Sequence, residues 1–371
     1  MPKHNFHFLE FKETKKLFKI FNDNFIEARF VGGCVRDAFL GLESDDFDIA
    51  VNKNIFELMD ILKKSEIKCI PTGLKYGSIT AILNGIKFEI TQLRKDINCL
   101  GRECDTERVS EFEIDAKRRD FTINSIYVSE NGEIFDYFDG ISDLKNHRVI
   151  FIGDPESRIK EDYLRILRYY RFAAKLSDFS DTYSDVIKKL SKNLNKVSIE
   201  RIQKELLLIL NLPYNLKIFN FICKNNVFEN LNLENYTRFL DIYSSTSFEL
   251  KAYILFGYDV LIHKFKLPKT FKKLIKFFKI FEQEKLIYCA YKMGKEFAKS
   301  IMTIKDINYN IKENFPQDVS YPQFPVSYHD LPLNTLFANR KLKACEKWWT
   351  YNNFTPSKED CLNFIDINSK F

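Results

Sequence analysis

Asp46 and Asp48 stand two residues apart in Asp46-Phe47-Asp48-Ile49-Ala50. On a strand this spacing sends both carboxylates from one face, because side chains alternate with period two. Two carboxylates so placed can hold two Mg²⁺ ions, one activating an attacking hydroxyl, the other steadying a triphosphate and its leaving pyrophosphate. A third acid often completes such a site, and Glu89 offers one. It shares a strand face with Lys87 and Thr91, opposite Ile86, Phe88 and Ile90. Strand periodicity alone does not say whether that face turns toward the aspartates.

A solitary Asp-x-Asp is more often an exposed strand edge than a metal site. The preceding Gly32-Gly33-Cys34-Val35-Arg36-Asp37 changes that reading. Glycines at 32 and 33 let backbone N–H groups approach phosphate oxygens, and a helix start just after them favours an anion. Arg36, three residues on, can reach the same phosphates. The combination reads as a phosphate cradle feeding a two-metal site.

The elements that must position these residues follow from local patterns. Arg29 to Val31, the glycine pair, and Val35 to Leu40 read as strand, turn and helix. Ile79 to Leu83 and Ile86 to Thr91 flank Asn84-Gly85, a hairpin signal because both central residues tolerate positive φ. A second hairpin is expected around Asn131-Gly132. From Pro155 the periodicity becomes helical: one helix is expected over about Lys160 to Leu176, another over Ile199 to Leu210, stopping before Pro213. Short helices then continue to about Asp318. Tyr321-Pro322 and Phe324-Pro325 mark an extended linker before a tail containing Trp348-Trp349. The expected fold is α+β: an α/β head with a mixed sheet, then an all-helical remainder.

The chain has 371 residues, enough for two or three modules. Eight scattered cysteines form no CxxC pair and five scattered histidines no metal cluster, so the chemistry must rest on carboxylates and arginines. Most of the cysteines read as buried free thiols. No apolar stretch is long enough to span a bilayer and no secretory signal is visible at the N-terminus, so a soluble, cytoplasmic protein is expected. A net charge of +6 suits an RNA-binding protein but weighs little beside abundant Lys, Ile, Asn and Phe, which also follow from A/T-rich coding.

The segments 30–37 and 46–50 together resemble the signature of the class II tRNA nucleotidyltransferase and bacterial poly(A) polymerase family. The resemblance continues through PTGLKYGSIT (71–80), FEITQLR (88–94), RRDFTIN (118–124), DYFDGISDL (136–144), IGDPESRIKEDYLRILRYYRFA (152–173) and SIERIQKEL (198–206). It implies a polymerase-β-like catalytic head over 1–140. A helical neck with a nucleotide-selecting helix follows over 141–212, an RNA-binding body over 213–320, and a tail over 321–371. It also implies that Arg119 contacts the nucleotide, with Asp120 and Asn124 on the ribose side.

Within Glu161-Asp162-Tyr163-Leu164-Arg165, Asp162 and Arg165 would be neighbours on one helix face. Asp162 can accept from the exocyclic amine shared by C and A. Arg165 can donate to the adjacent ring nitrogen, an edge that G and U lack. Arg168 and Arg171 continue the row toward triphosphate or base. The bland alternative is an i,i+3 surface ion pair.

The resemblance implies addition of C and A to the 3′ end of tRNA from CTP and ATP, with Mg²⁺ and no stable protein partner. Poly(A) polymerase, CC-only or A-only enzymes, and an inactive RNA-binding relative remain alternatives. The 71–80 segment lacks the arginine-rich stretch usual in the poly(A) enzymes. Leu93 to Phe112, including Gly101-Arg102, resembles the flexible loop of enzymes able to add the terminal A. Ile114-Asp115-Ala116-Lys117 and the paired tryptophans resemble alphaproteobacterial members, although Asn334 to Lys343 lacks their glycines. Lys264 to Lys279 holds seven lysines and no acid, interleaved with phenylalanines. It reads either as a phosphate-binding face or as a solvated face over a core. Trp348-Trp349 reads as packing.

Overall fold

The computed structural model describes residues 6–100, 103–178, 180–228, 231–242, 247–309, 321–332 and 337–367. Gly101, Arg102 and the stretch 310–320 lie outside the described residues, as does 333–336 of the tail. The chain divides into two compact units, Met1–Glu229 and Asn230–Phe371.

The first unit is built on strands β1 (Ala28–Val31), β2 (Phe47–Val51), β3 (Lys68–Gly73), β4 (Ser78–Leu83), β5 (Ile86–Gln92), β6 (Arg94–Leu100), β7 (Glu103–Arg108), β8 (Ile126–Val128) and β9 (Ile134–Asp136). Seven of them form one sheet in the order β3-β4-β5-β2-β1-β8-β9. β2 and β5 run parallel and the other neighbours antiparallel, so the sheet is mixed. Both expected hairpins are present, and Asn84 and Gly85 take φ of 47° and 90° at the β4–β5 turn. β6 and β7 pair as a separate two-stranded ribbon within the Leu93–Phe112 segment.

The α-helices among the described residues of this unit are α1 (Lys12–Asp23), α2 (Gly33–Phe39), α3 (Ile55–Lys64), α4 (Phe112–Lys117), α5 (Gly140–Lys145), α6 (Pro155–Glu161), α7 (Arg165–Leu176), α8 (Ser184–Leu190), α9 (Ile199–Leu210) and α10 (Asn215–Lys224). The single helix expected over Lys160 to Leu176 is two helices. α6 is started by Asp154, whose carboxylate accepts from the Ser157 N–H at 2.9 Å, with Pro155 in its first turn. It ends at Asp162, which is extended at φ −152°, ψ 105°, and α7 begins three residues later.

The sheet's two faces have different work. Phe30, Phe47, Phe88 and Ile90 are buried on one, where Phe8 and Phe18 pack against Phe30 at ring distances of 4.6 and 5.3 Å. Val31, Ala50 and Tyr127 are buried on the other, and α4 covers them with Phe112 and Ala116. Asp48 lies on this second face, two residues from Ala50 along β2.

The second unit is helical wherever its regular structure is described, from Leu233–Ile242 to Lys358–Ile367. Its last part has a small core of Val326, Cys345, Trp349, Cys361 and Ile365. Trp349 donates from Nε1 to the Pro356 carbonyl at 3.0 Å, and Trp348 stacks on Phe364 at 4.6 Å. Both tryptophans are packing residues. In Lys269–Phe281, Ile275 and Phe278 are buried, while Lys269, Lys273, Lys276 and Lys279 are exposed. Among the described residues no helix is long and apolar enough to cross a membrane. Cys34, Cys69, Cys223, Cys289, Cys345 and Cys361 are free thiols.

Candidate active site

The aspartates take their places from strand register. Val31 pairs with Asp48 across β1–β2, and Asp48 pairs with Glu89 across the parallel β2–β5 ladder. Directly paired residues leave a sheet on the same side, so Glu89 shares the face of Asp48. Asp46, just ahead of β2, is exposed, as is Glu89. Burial lifts the Asp48 carboxyl to about pKa 6. The Asp46 and Glu89 carboxylates add to the rise, while the Arg119 and Arg36 guanidiniums oppose it. Among the described residues no group of three or more His, Cys, Asp or Glu gathers closely enough to enclose a metal. The pair Asp46 and Asp48 nevertheless fits a divalent cation, because a positive ion would relieve the charge that raises Asp48.

The glycine turn closes over this face. Gly32 has φ 79°, ψ −130°, a conformation L side chains rarely adopt. A Cβ there would stand 3.1 Å from Asp48 Oδ2 and 3.7 Å from Arg119 Nη1. Backbone, aspartate and guanidinium thus meet at one point. Gly33 opens α2, and Arg36 on that helix lies buried beneath it. Arg36 donates to Asp37 at 2.8 Å and from Nη1 to Asn124 Oδ1 at 2.7 Å.

The RRDFTIN segment is more buried than its polar composition suggests. Asp120 and Asn124 are 8% and 6% exposed. Asp120 accepts from Asn124 Nδ2 and the Phe121 N–H, both at 2.9 Å, and from Arg168 Nε at 2.7 Å. Although burial works against its charge, Arg168 and Asn124 hold its pKa far below the usual carboxylate range. Arg36, Asn124, Asp120 and Arg168 therefore form one chain of hydrogen bonds from α2 to α7. Arg171 donates to Glu205 of α9 at 2.6 Å, and its guanidinium lies over Phe172, 4.1 Å from the ring centre.

Asp162 and Arg165 are not the i,i+3 helical pair that their spacing suggests. Asp162, in the break between α6 and α7, accepts from both Arg201 Nη1 and Nη2, at 3.2 and 2.7 Å. Arg165 donates instead to Glu161 at 2.6 Å and the Arg158 carbonyl at 2.7 Å. Both nevertheless face one cavity of about 300 Å³ lined by Asp96, Arg118, Arg119, Asp120, Asp162, Leu164, Arg165, Arg168 and Arg201. Five of the residues expected from the sequence line it together: Arg119, Asp120, Asp162, Arg165 and Arg168. Arg36, Asn124 and Arg171 stand behind this lining.

Sequence reasoning missed Arg201, Arg118 and Asp115. Arg201 lies inside SIERIQKEL and Arg118 inside RRDFTIN, so the motifs marked their neighbourhoods without marking the residues. Asp115 lies in the Ile114–Lys117 segment, which stands out for its resemblance and not for any role in the site.

A volume of this size with several arginines beside carboxylates suits a nucleotide better than an apolar ligand. The family model described as the poly A polymerase head domain matches residues 28–150. CCA tRNA nucleotidyltransferase 1, mitochondrial, of Mus musculus is 29% identical over 387 residues, covering 95% of this chain and 89% of the mouse protein. Its Homo sapiens counterpart is 40% identical over 201 residues, covering 53% of this chain and 46% of the human one, so that match spans about half of that relative. Among solved structures, the Bacillus stearothermophilus CCA-adding enzyme in complex with CTP superposes with TM-score 0.71 at 21% identity, covering 96% of this chain and 97% of that one. The fold is shared over nearly the whole length. Residues 28–150 thus resemble a poly A polymerase head domain, and nearly the whole chain is similar to a CCA tRNA nucleotidyltransferase.

Proposed function

We propose that the protein adds C and A to the 3′ end of tRNA, transferring nucleotidyl groups from CTP and ATP and releasing pyrophosphate. The observation that carries this reading is the position of Arg119. One face of it borders Gly32 and Asp48, and it also lines the cavity that holds Asp162 and Arg165. A nucleotide with its base in the cavity would thus present its triphosphate to the aspartates.

Asp46 and Asp48 would hold divalent ions, Mg²⁺ in our reading, with Glu89 beside them on the next strand. Bound there, the ions supply positive charge to the attacking 3′ oxygen and the leaving pyrophosphate. Gly32 and Gly33 let the backbone approach the triphosphate, and Arg119 pairs with it. Asp120 lies on the ribose side, held by Asn124, and Arg36 anchors Asn124 from below. Asp162 accepts from the exocyclic amine of C or A, and Arg165 donates to the neighbouring ring nitrogen. Arg168 and Arg171 brace this wall through Asp120 and Glu205.

We assign catalysis to residues 1–140, nucleotide selection to 141–212, RNA binding to 213–320 with its exposed lysines, and an accessory role to the 321–371 tail. We place the reaction in the cytoplasm, which imaging of the tagged full-length chain checks. The activity itself is tested by incubating the protein with tRNA ending at the discriminator base, in CTP alone, ATP alone, or both. Extension by two C with CTP alone and by CCA with both supports the reading. Long A tails on RNA lacking an acceptor arm would assign poly(A) synthesis instead.

A further inference from the structure

Asp115 has no side-chain exposure to speak of, yet it touches three parts of the site. Its Oδ1 accepts from Arg118 Nε at 2.9 Å and from the Arg94 N–H, at the root of the β6–β7 ribbon, at 3.4 Å. Its Oδ2 accepts from Arg119 Nη2 at 3.2 Å and from the Tyr127 hydroxyl at 2.7 Å. Tyr127 in turn accepts from Arg119 Nε at 3.1 Å. Two nitrogens of the Arg119 guanidinium, Nε and Nη2, are therefore fixed by this pair, leaving Nη1 at the Gly32–Asp48 junction. Arg118, set by the other oxygen, lines the cavity beside it. α4 brings Asp115 here because Phe112 and Ala116 bury against Val31, Ala50 and Tyr127, on the face of the sheet that carries Asp48.

We infer that Asp115 is a positioning residue for nucleotidyl transfer: one buried carboxylate that sets Arg119 against Asp48 and Arg118 against the nucleotide cavity. This rests on the function proposed above. A neutral amide at this point would oppose donor to donor at Arg119 or at Arg118, releasing a guanidinium that must otherwise stand in register with the metal-binding aspartates. A misplacement of about 1 Å costs roughly 100-fold in rate when the displaced group acts on the reacting centre.

The test compares wild type, Asp115→Asn and Tyr127→Phe in steady-state addition of C to tRNA, with active protein counted by CTP titration. Wild type must first extend the tRNA; if it does not, the functional reading fails rather than this one. Given an active wild type, Asp115→Asn should lower kcat per active site about 100-fold, with KM for CTP changed by less than about threefold and tRNA affinity unchanged. Tyr127→Phe, which keeps the buried ring, should lower kcat in the same sense by about tenfold, and it serves alone if Asp115→Asn does not fold. A fall only in the amount of folded protein, with wild-type kcat per active site in both variants, would overturn the inference.

Discussion

The Asp162 carboxylate is gripped by both terminal nitrogens of Arg201, 39 residues along the chain, rather than by the nearby Arg165. The pair fixes the direction in which an extended, non-helical aspartate faces the cavity. A carboxylate oxygen with a guanidinium on one side keeps lone pairs for a base amine on the other.

Base discrimination should therefore depend on both residues. Asp162→Ala is expected to reduce preference for CTP and ATP over UTP and GTP by about 10- to 100-fold, the range of one well-placed polar pair on a base edge. Arg201→Met should shift selectivity in the same direction by leaving Asp162 unaimed. Misincorporation measured with each triphosphate alone checks this; unchanged selectivity in both variants removes the assignment of the cavity.

Gly32 is confined twice, by its φ of 79° and by Asp48 Oδ2 3.1 Å from any added Cβ. Gly32→Ala should lower stability by about 1–3 kcal/mol, the usual range for a residue held in such a region. Addition should fall far more steeply than stability, since the intruding methyl displaces Asp48. Denaturant unfolding beside tRNA extension at a temperature where the variant stays folded separates the two effects.

The raised Asp48 pKa predicts a pH signature. A carboxyl whose pKa rises on folding from 3.8 to about 6 contributes stability fully present below about pH 4 and lost as pH rises through about 6. The metal-free wild type should lose stability relative to Asp48→Asn over that window. Divalent-ion affinity should weaken as pH falls below about 6, because protons compete for the same oxygens. Thermal melts of both proteins from pH 4 to 8 without metal check the first part, and parallel curves would contradict it.

The lysines exposed along Lys269–Phe281 make a separate prediction about RNA. Replacing Lys269, Lys273 and Lys276 with Ala should weaken tRNA binding. The slope of log Kd against log salt should fall by about one for each phosphate that is no longer neutralised. kcat at saturating tRNA should stay close to wild type. An unchanged salt slope would make this face a solvated surface over its Phe278 core.

What could be read ahead from the residues divides along physical lines. The strand carrying Asp48, the Asn84-Gly85 hairpin and the helix over Ile199–Leu210 were legible because period, turn chemistry and a following proline are local signals; Asp46 falls one residue ahead of that strand. The break at Asp162 was not, since Glu-Asp-Tyr-Leu-Arg contains neither Gly nor Pro and tertiary pairing with Arg201 decides its backbone. The burial of Asp120 and Asn124 was hidden for a similar reason. A polar string looks exposed until Arg36 reaches Asn124 from 88 residues away and Arg168 reaches Asp120 from 48. The β6–β7 ribbon escaped because Arg94 to Arg108 is too polar to show an alternating pattern.

The most direct test of the whole account is the sequence of the product. A tRNA ending at the discriminator base, incubated with the protein, a divalent ion and all four nucleoside triphosphates, should acquire C, C and A in that order and then stop. An Asp46→Ala, Asp48→Ala variant should leave the same tRNA unextended. Runs of A, incorporation of G or U at comparable frequency, or extension that survives loss of both aspartates would contradict it.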